Sequence, residues 1–185
     1  MGRLIINNAI TVNGAFEAPS PDTWFVVDPD TQAADLEHWL AADAMVLGRK
    51  TYEGLAAVWP QLTAVPGFET YADRMNSMPK YVASRTLREP LEWNATLIEG
   101  DVAEGVRSLK EEHNGNLIIP GCGELARDVT AHGLVDEVRF WVQPFLWASG
   151  PRIFDGIGPI RLQLTGSTTF PSGVVLLCYR PARAE

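Results

Sequence analysis

The sequence has few of the residues that build disulfide frameworks or metal sites. Its 185 residues include only 2 cysteines and 3 histidines. Cys122 and Cys178 are far apart in the chain and neither belongs to a CxxC pair, so we interpret both as free thiols of a reducing cytoplasm. The histidines fit no HExxH or Cys/His ligand spacing. No metal site is therefore predicted.

Long apolar runs and excess positive charge are also lacking. No apolar run approaches the roughly 20 residues of a membrane span, and polar residues follow Met1 too closely for a signal-peptide core. The net charge is -8 and the isoelectric point is about 4.9. Nucleic acids and anionic membranes favour basic surfaces, so neither is expected as a partner. These absences favour a cytoplasmic protein that binds small molecules.

What is present is the composition of a globular protein. Apolar residues make up 46% and charged residues 21% of the sequence, which excludes a disordered chain. A chain of 185 residues can bury a full hydrophobic core. We therefore expect a single domain over residues 1–185.

Predicted strands and helices alternate over the first two thirds of the chain. Apolar strands are predicted at residues 4–6, 44–47, 80–84, 94–98 and 117–119, with a long proline-containing connection before residue 80. Helices are expected from about Asp28, from Arg49, from a capping box at Asp101 and after Gly123. The last third shows strands alone, near 135–142, 161–164 and 174–179. This order predicts an α/β layered sheet, mostly parallel, with antiparallel C-terminal strands.

An anion site is predicted where the strand at residues 44–47 ends. Gly48 lets the backbone approach a ligand, and the N-terminus of the following helix offers free N–H groups and a positive dipole. Arg49 and Lys50 add two charges, and Thr51 adds a hydroxyl donor. In an acidic chain, adjacent cations at such a turn indicate a nucleotide phosphate. A solvated helix start is the alternative.

Two further polar turns follow apolar strands. Ser84 and Arg85 follow one strand, and a polar turn is the alternative interpretation for them. Gly121, Cys122, Gly123 and Glu124 follow another and match the GxGxxA pattern of dinucleotide-binding Rossmann folds. The Rossmann interpretation is rejected, because the pattern lies late in the chain and no acidic residue is placed to hold a ribose. The segment remains suited to a helix start beneath a pyrophosphate.

The order of these three turns resembles the NADPH site of the dihydrofolate reductase fold. Residues 48–53 (GRKTYE) are similar to that family's GRxT[WY]E segment, residues 84–86 (SRT) to its SrT segment, and residues 121–123 to its diglycine turn. Downstream, residues 133–137 (GLVDE) and 144–154 resemble the GLvDE and P…GxGxxlF segments of the bacterial riboflavin-reductase-like branch, the RibD C-terminal domain. The resemblance extends from about residue 4 to residue 179.

The resemblance implies a three-layer α/β sandwich of the dihydrofolate reductase type. It also implies NADPH-dependent reduction of a small planar heterocycle, such as a pterin or a pyrimidinone, or of a carbonyl compound. By family position Arg49, Ser84 and Arg85 would hold the 2′-phosphate, and the backbone of Ala9 and Ile10 would contact the nicotinamide carboxamide. The cofactor residues so implied are Ala9, Ile10, Gly48, Arg49, Lys50, Thr51, Ser84, Arg85, Gly121, Cys122, Gly123 and Glu124.

The sequence says less about the residues that would contact a substrate. Where the branch usually has Ser-Leu-Asp-Gly, residues 11–14 are TVNG, and Asn13 is expected at the mouth of the substrate pocket. Asp35 is the candidate proton donor by analogy with the carboxylate on the first helix of dihydrofolate reductases, although a solvated helix carboxylate is the favoured interpretation. Trp24 and Phe25 could form a wall for a flat heterocycle, or belong to the core. Cys122 is interpreted as a small filler.

Two alternatives to the enzyme remain. A nucleotide-binding module of the same fold without turnover would keep the cofactor site and lack a proton donor. A purely structural homodimer would leave Arg49 and Lys50 unexplained. A homodimer through the C-terminal strands is nevertheless predicted, because Trp141 and Trp147 supply more aromatic surface than one sheet face needs.

Overall fold

The computed structural model describes residues 1–17 and 24–182. Within these residues the central sheet has eight strands. The strands are β1 (Arg3–Thr11), β2 (Ala42–Gly48), β3 (Lys80–Ala83), β4 (Ala95–Leu97), β5 (Asn116–Ile119), β6 (Glu137–Gln143), β7 (Leu162–Thr169) and β8 (Val175–Pro181). The α-helices are α1 (Pro29–Leu40), α2 (Arg49–Val58), α3 (Glu69–Ser77), α4 (Val102–Glu112) and α5 (Glu124–Ala131).

The strand order is β4-β3-β2-β5-β1-β6-β8-β7. All pairs from β4 to β6 are parallel, whereas β8 runs antiparallel to β6 and to β7. The predicted sheet, mostly parallel with antiparallel C-terminal strands, is confirmed. No helix in the described part of the chain is both long and apolar enough to cross a membrane.

Alternating side chains divide the core between the two faces of the sheet. Leu117 and Ile119 of β5 pack with α4 and α5, whereas Ile118 between them packs with α1, α2 and α3. Because successive side chains of a strand point to opposite faces, the helices cover both sides. This gives the three layers that were expected. The apolar run that marked each central strand follows from burial on both faces.

Helix starts follow from local capping. Asp28 accepts hydrogen bonds from the backbone N–H groups of Asp30 and Thr31 and begins α1. Asp101 accepts one from Glu104 N and begins α4. The capping box predicted there is only half formed, because the Glu104 carboxylate pairs with Arg107 instead.

Two segments differ from the sequence prediction. The connection before residue 80 contains a 3₁₀-helix (Trp59–Ala64) and α3. Only Ala72 and Met75 of α3 are buried, so its apolar pattern is too short to recognise. Strand β1 extends well past residue 6, where polar residues hide its continuation. The sequence also predicts a loop rich in glycine, proline and aromatic residues from about Asn13 to Phe25, of which residues 18–23 lie outside the described residues.

Candidate functional site

A cleft of about 1360 Å³ lies at the carboxyl ends of β2, β3 and β5. This edge of a parallel sheet is where ligands bind in α/β folds. The cleft exceeds the roughly 300–1,000 Å³ of common small-ligand pockets. All predicted cofactor residues except Ala9 and Ile10 line it: Gly48, Arg49, Lys50, Thr51, Ser84, Arg85, Gly121, Cys122, Gly123 and Glu124.

Two helices point uncapped N-termini into this cleft. Gly48 is the N-cap of α2 and Gly123 is the N-cap of α5, and neither helix has a side-chain capping bond. By contrast, Asp28 and Asp101 cap α1 and α4. First-turn N–H groups without a protein acceptor are donors for an anion, and the helix dipole favours negative charge there.

The two helix starts are in contact with each other. A Cβ built on Gly48 would lie 3.8 Å from Leu125 Cβ, and one built on Gly121 would lie 3.3 Å from Thr51 Oγ1. A Cβ on Gly123 would meet no atom within 4 Å in the part of the chain that the structure describes. The close approach at Gly121 therefore serves packing against α2, whereas the open side of Gly123 is available to a ligand.

Basic side chains add charge to this end of the cleft. Arg49 forms an ion pair with Glu53 at 3.2 Å, but both side chains are more than 40% exposed, so the pair binds weakly. Ser84 Oγ accepts hydrogen bonds from Thr86 N at 3.2 Å and Leu87 N at 3.0 Å. The Ser84 hydroxyl hydrogen is left for Thr86 Oγ1, 3.5 Å away, or for an incoming oxyanion. Arg85 and Arg127 complete the cations of the lining.

Carboxylates of the lining are partly engaged with backbone donors. Asp101 accepts from Glu104 N, and Asp155 accepts from Arg152 N at 3.1 Å. Glu124 is exposed in the first turn of α5. The donors that the cleft offers to an anion are therefore the two helix starts and their cations, whereas the lining as a whole carries no excess of positive charge.

Beside the cleft, β1 extends beyond the end of its neighbour β5. Strand β1 pairs with β5 only as far as Ile6 and Ile119, whereas its pairing with β6 continues to Thr11. Beyond Ile6 the edge of β1 that faces β5 has no strand partner among the described residues. Asn8 lines the cleft there. Ala9 and Ile10 follow directly on this open stretch. Their implied contact with a nicotinamide stays a prediction.

Cys122 is buried in the glycine turn. Burial raises the pKa of the Cys122 thiol to about 12, although a hydrogen bond from Asn8 acts in the opposite direction. Asn8 Nδ2 lies 3.0 Å from Cys122 Sγ. The thiol is therefore protonated at neutral pH, as expected of a filler and not of a nucleophile.

Asp35 is part of a hydrogen-bonded network between α1, β1 and α3. Its carboxylate accepts from Tyr71 Oη, from Trp39 Nε1 at 3.1 Å and from Asn7 Nδ2 at 3.4 Å. Desolvation raises the pKa of Asp35, while these three donors act to lower it. The favoured interpretation, a solvated helix carboxylate, is therefore wrong. Asp35 is absent from the residues that line the cleft.

Asn7 and Tyr71 were not recognised from the sequence as partners of Asp35. Tyr71 belongs to α3, which the apolar pattern did not reveal, and no local signal brings it to Asp35. Asn13 also differs from expectation, since its side chain is bonded to the backbone of Trp147 and does not line the cleft.

The aromatic residues have separate locations. Trp24 is buried and contacts the half-exposed Phe25 edge to face, with ring centroids 6.0 Å apart, and neither lines the cleft. Trp141 is buried and its Nε1 donates to Asn7 Oδ1. The aromatic surface proposed for a dimer therefore does not include Trp141.

Comparison with known proteins supports the sequence resemblance. The model of the RibD C-terminal domain family matches residues 3–176. A search of curated proteins gave no significant match.

Solved structures share the fold. A Shewanella sp. PV-4 protein, provisionally assigned to riboflavin biosynthesis, is 20% identical with a TM-score of 0.70, covering 98% of this chain and 99% of that one. The Thermotoga maritima diaminohydroxyphosphoribosylaminopyrimidine deaminase/5-amino-6-(5-phosphoribosylamino)uracil reductase is 16% identical with a TM-score of 0.70, covering 98% and 57%. Dihydrofolate reductase from Enterococcus faecalis, complexed with NADP(H), is 13% identical with a TM-score of 0.65, covering 98% and 97%. The dihydrofolate reductase type of fold is confirmed.

Proposed function

The chain belongs to the RibD C-terminal domain family, and on that premise we propose that it is an NADPH-dependent reductase. Its substrate is a small planar heterocycle, such as a pterin or a pyrimidinone, or a carbonyl compound. The observation that carries the proposal is the convergence of two uncapped helix N-termini on one cleft at the carboxyl ends of parallel strands.

The donor set fits a dinucleotide phosphate. The first turns of α2 and α5 supply N–H groups to the pyrophosphate, and Lys50 and Thr51 supply a charge and a hydroxyl beside them. NADPH supplies a hydride when bound. The chain itself binds and orients the cofactor and holds the acceptor beside the open edge of β1.

Arg49, Ser84 and Arg85 form the proposed pocket for the 2′-phosphate. The weak, exposed pair between Arg49 and Glu53 leaves the guanidinium able to exchange its partner for a phosphate, which it can bind bidentately. Each charge-assisted contact contributes on the order of 1.5–3 kcal/mol. The protein should therefore prefer NADPH to NADH.

The alternative is a nucleotide-binding module without turnover. One observation favours it: Asp35 already accepts three hydrogen bonds and does not line the cleft, so its access to a substrate is restricted. Both proposals place the protein in the cytoplasm, where Cys122 and Cys178 would remain the free thiols that they are in the structure.

A fluorescence titration with NADPH and NADH tests the cofactor site. Arg49→Ala should weaken NADPH binding at least tenfold and leave NADH binding nearly unchanged. Arg107→Ala is the matched control, since Arg107 also forms an exposed ion pair within a helix but lies outside the cleft lining. Equal affinity of the unsubstituted chain for both cofactors would remove the 2′-phosphate assignment.

Steady-state NADPH oxidation against a panel of pterins and pyrimidinones separates the two candidate functions. Turnover of any member above the rate without acceptor supports the reductase. Tight NADPH binding with no turnover across the panel would favour the binding module.

A further inference from the structure

Two loops form one wall of the cleft and are joined by hydrogen bonds. The first, residues 12–17, follows β1, and the second, residues 144–157, follows β6 and is called the strap below. Both loops contribute to the cleft lining, which includes Phe16, Glu17, Pro151, Asp155, Gly156 and Ile157. The position of the strap against the first loop therefore shapes the cleft.

Main-chain hydrogen bonds between the loops are few and widely spaced. Val12 N donates to Phe145 O at 2.9 Å, near the start of the strap. The next such bonds come several residues later, where Ile153 N donates to Gly14 O at 3.2 Å and Phe16 N donates to Pro151 O at 3.4 Å. Between Phe145 and Pro151 the strap is therefore not held to the first loop by main-chain hydrogen bonds.

The side chain of Asn13 connects this part of the strap to the first loop. Asn13 Nδ2 donates to Trp147 O at 2.7 Å, and Trp147 N donates to Asn13 Oδ1 at 3.1 Å. Thr11 Oγ1 also donates to Asn13 Oδ1, at 2.9 Å, and fixes the orientation of the amide. The carboxamide thus makes the reciprocal pair of bonds with Trp147 that two facing residues of an antiparallel ladder make.

We propose that Asn13 is a positioning residue. Its two hydrogen bonds with the Trp147 backbone, called the latch below, hold the strap against the first loop and thereby set the position of one wall of the cleft. Its effect on cofactor binding rests on the proposed function, whereas the latch itself does not. The reciprocal pair requires an amide, because a carboxylate accepts but cannot donate to Trp147 O. The amide at position 13, where the related branch usually has an acid, is therefore suited to this contact.

Aspartate at position 13 provides a second test. At pH 8 its ionised carboxylate would place an oxygen against Trp147 O, to which it cannot donate, and would open the latch. The charged groups of the described parts of both loops are Glu17, Arg152 and Asp155, and none of them hydrogen-bonds to Asn13. The effect of the substitution therefore belongs to the introduced carboxylate.

Amide hydrogen exchange of strap peptides, measured without ligand, is the direct readout. In Asn13→Ala, exchange over residues 144–150 should become at least tenfold faster at both pH 5 and pH 8, after correction for intrinsic rates. In Asn13→Asp, whose carboxylate is ionised at pH 8, exchange at that pH should be about as fast as in Asn13→Ala. Asn116→Ala is the matched control, because Asn116 Nδ2 bonds Ala41 O at 3.2 Å outside the cleft.

In each variant that lacks the latch, NADP⁺ should bind threefold to tenfold more weakly than in the unsubstituted chain at the same pH. Strap exchange within twofold of the unsubstituted chain, in Asn13→Ala or in Asn13→Asp at pH 8, would overturn the latch. If Asn13→Ala does not fold, the exchange of Asn13→Asp at pH 8 decides. Failure of the unsubstituted chain to bind NADP⁺ would refute the proposed function while exchange still decides the latch.

Discussion

Replacing Gly123 by valine is expected to weaken NADPH binding at least tenfold without unfolding the protein. Gly123 is the N-cap of α5 at φ -78° and ψ -154°, an extended conformation, so a side chain here needs no left-handed backbone. A Cβ at this position meets no atom of the described residues within 4 Å. The added atoms would therefore enter the cleft, where the proposed pyrophosphate approaches the helix start.

The magnitude follows from the donors that would be blocked. One hydrogen bond between a backbone N–H and a charged oxygen contributes about 1.5–3 kcal/mol. Since about 1.4 kcal/mol corresponds to a tenfold change in the dissociation constant, loss of one bond predicts a roughly tenfold to hundredfold weakening. Loss of two bonds would exceed a hundredfold. The cost in folding stability should stay within about 0.5–2 kcal/mol, the range for changes at an N-cap.

Fluorescence titration with NADPH, together with urea unfolding in the absence of cofactor, measures both quantities. Gly54→Ala is the control, since Gly54 is exposed within α2 and its Cβ would also meet nothing within 4 Å. This control should bind NADPH normally and gain about 0.5–1 kcal/mol of stability. Normal NADPH affinity in a folded Gly123→Val protein would show that the turn is only a helix start.

Two further predictions concern stability and assembly. Burial, together with the nearby Arg139 charge, lowers the pKa of His38 from 6.5 to about 4. The unfolded chain therefore binds more protons than the folded one between these pH values, and the free energy of unfolding falls as the pH falls through this window. Urea unfolding of His38→Gln should show a flatter pH dependence there, and an unchanged slope would refute this. The edge strand β7 is almost wholly exposed and carries no charged residue, which favours strand pairing between two copies. Light scattering at micromolar concentration should show a homodimer, and a mass near 20.3 kDa would contradict it.

The convergence of the proposed cofactor residues on one cleft was predictable because its signals are local. A strand end, a glycine and a helix start lie within a few residues of one another, as at Gly48 and at Gly123. The carboxyl ends of parallel strands lie at one edge of the sheet, so motifs far apart in the chain are expected to meet there. This expectation needs no knowledge of side-chain contacts. The alternation of strands and helices gave the layers for the same reason.

The two residues expected near a substrate, Asp35 and Asn13, have environments that are set by contacts with distant parts of the chain. No local sequence pattern predicts such contacts. Asp35 is held by Tyr71 from a helix with only two buried residues, and Asn13 is held by Trp147 from a loop that follows β6. In both cases a polar side chain near β1 is paired with a residue more than 30 positions away in the chain. Such a pairing fixes whether the polar group faces a ligand or the protein itself. Sequence position alone placed Asn13 at a pocket mouth, whereas in the structure its side chain is bonded to the backbone of Trp147.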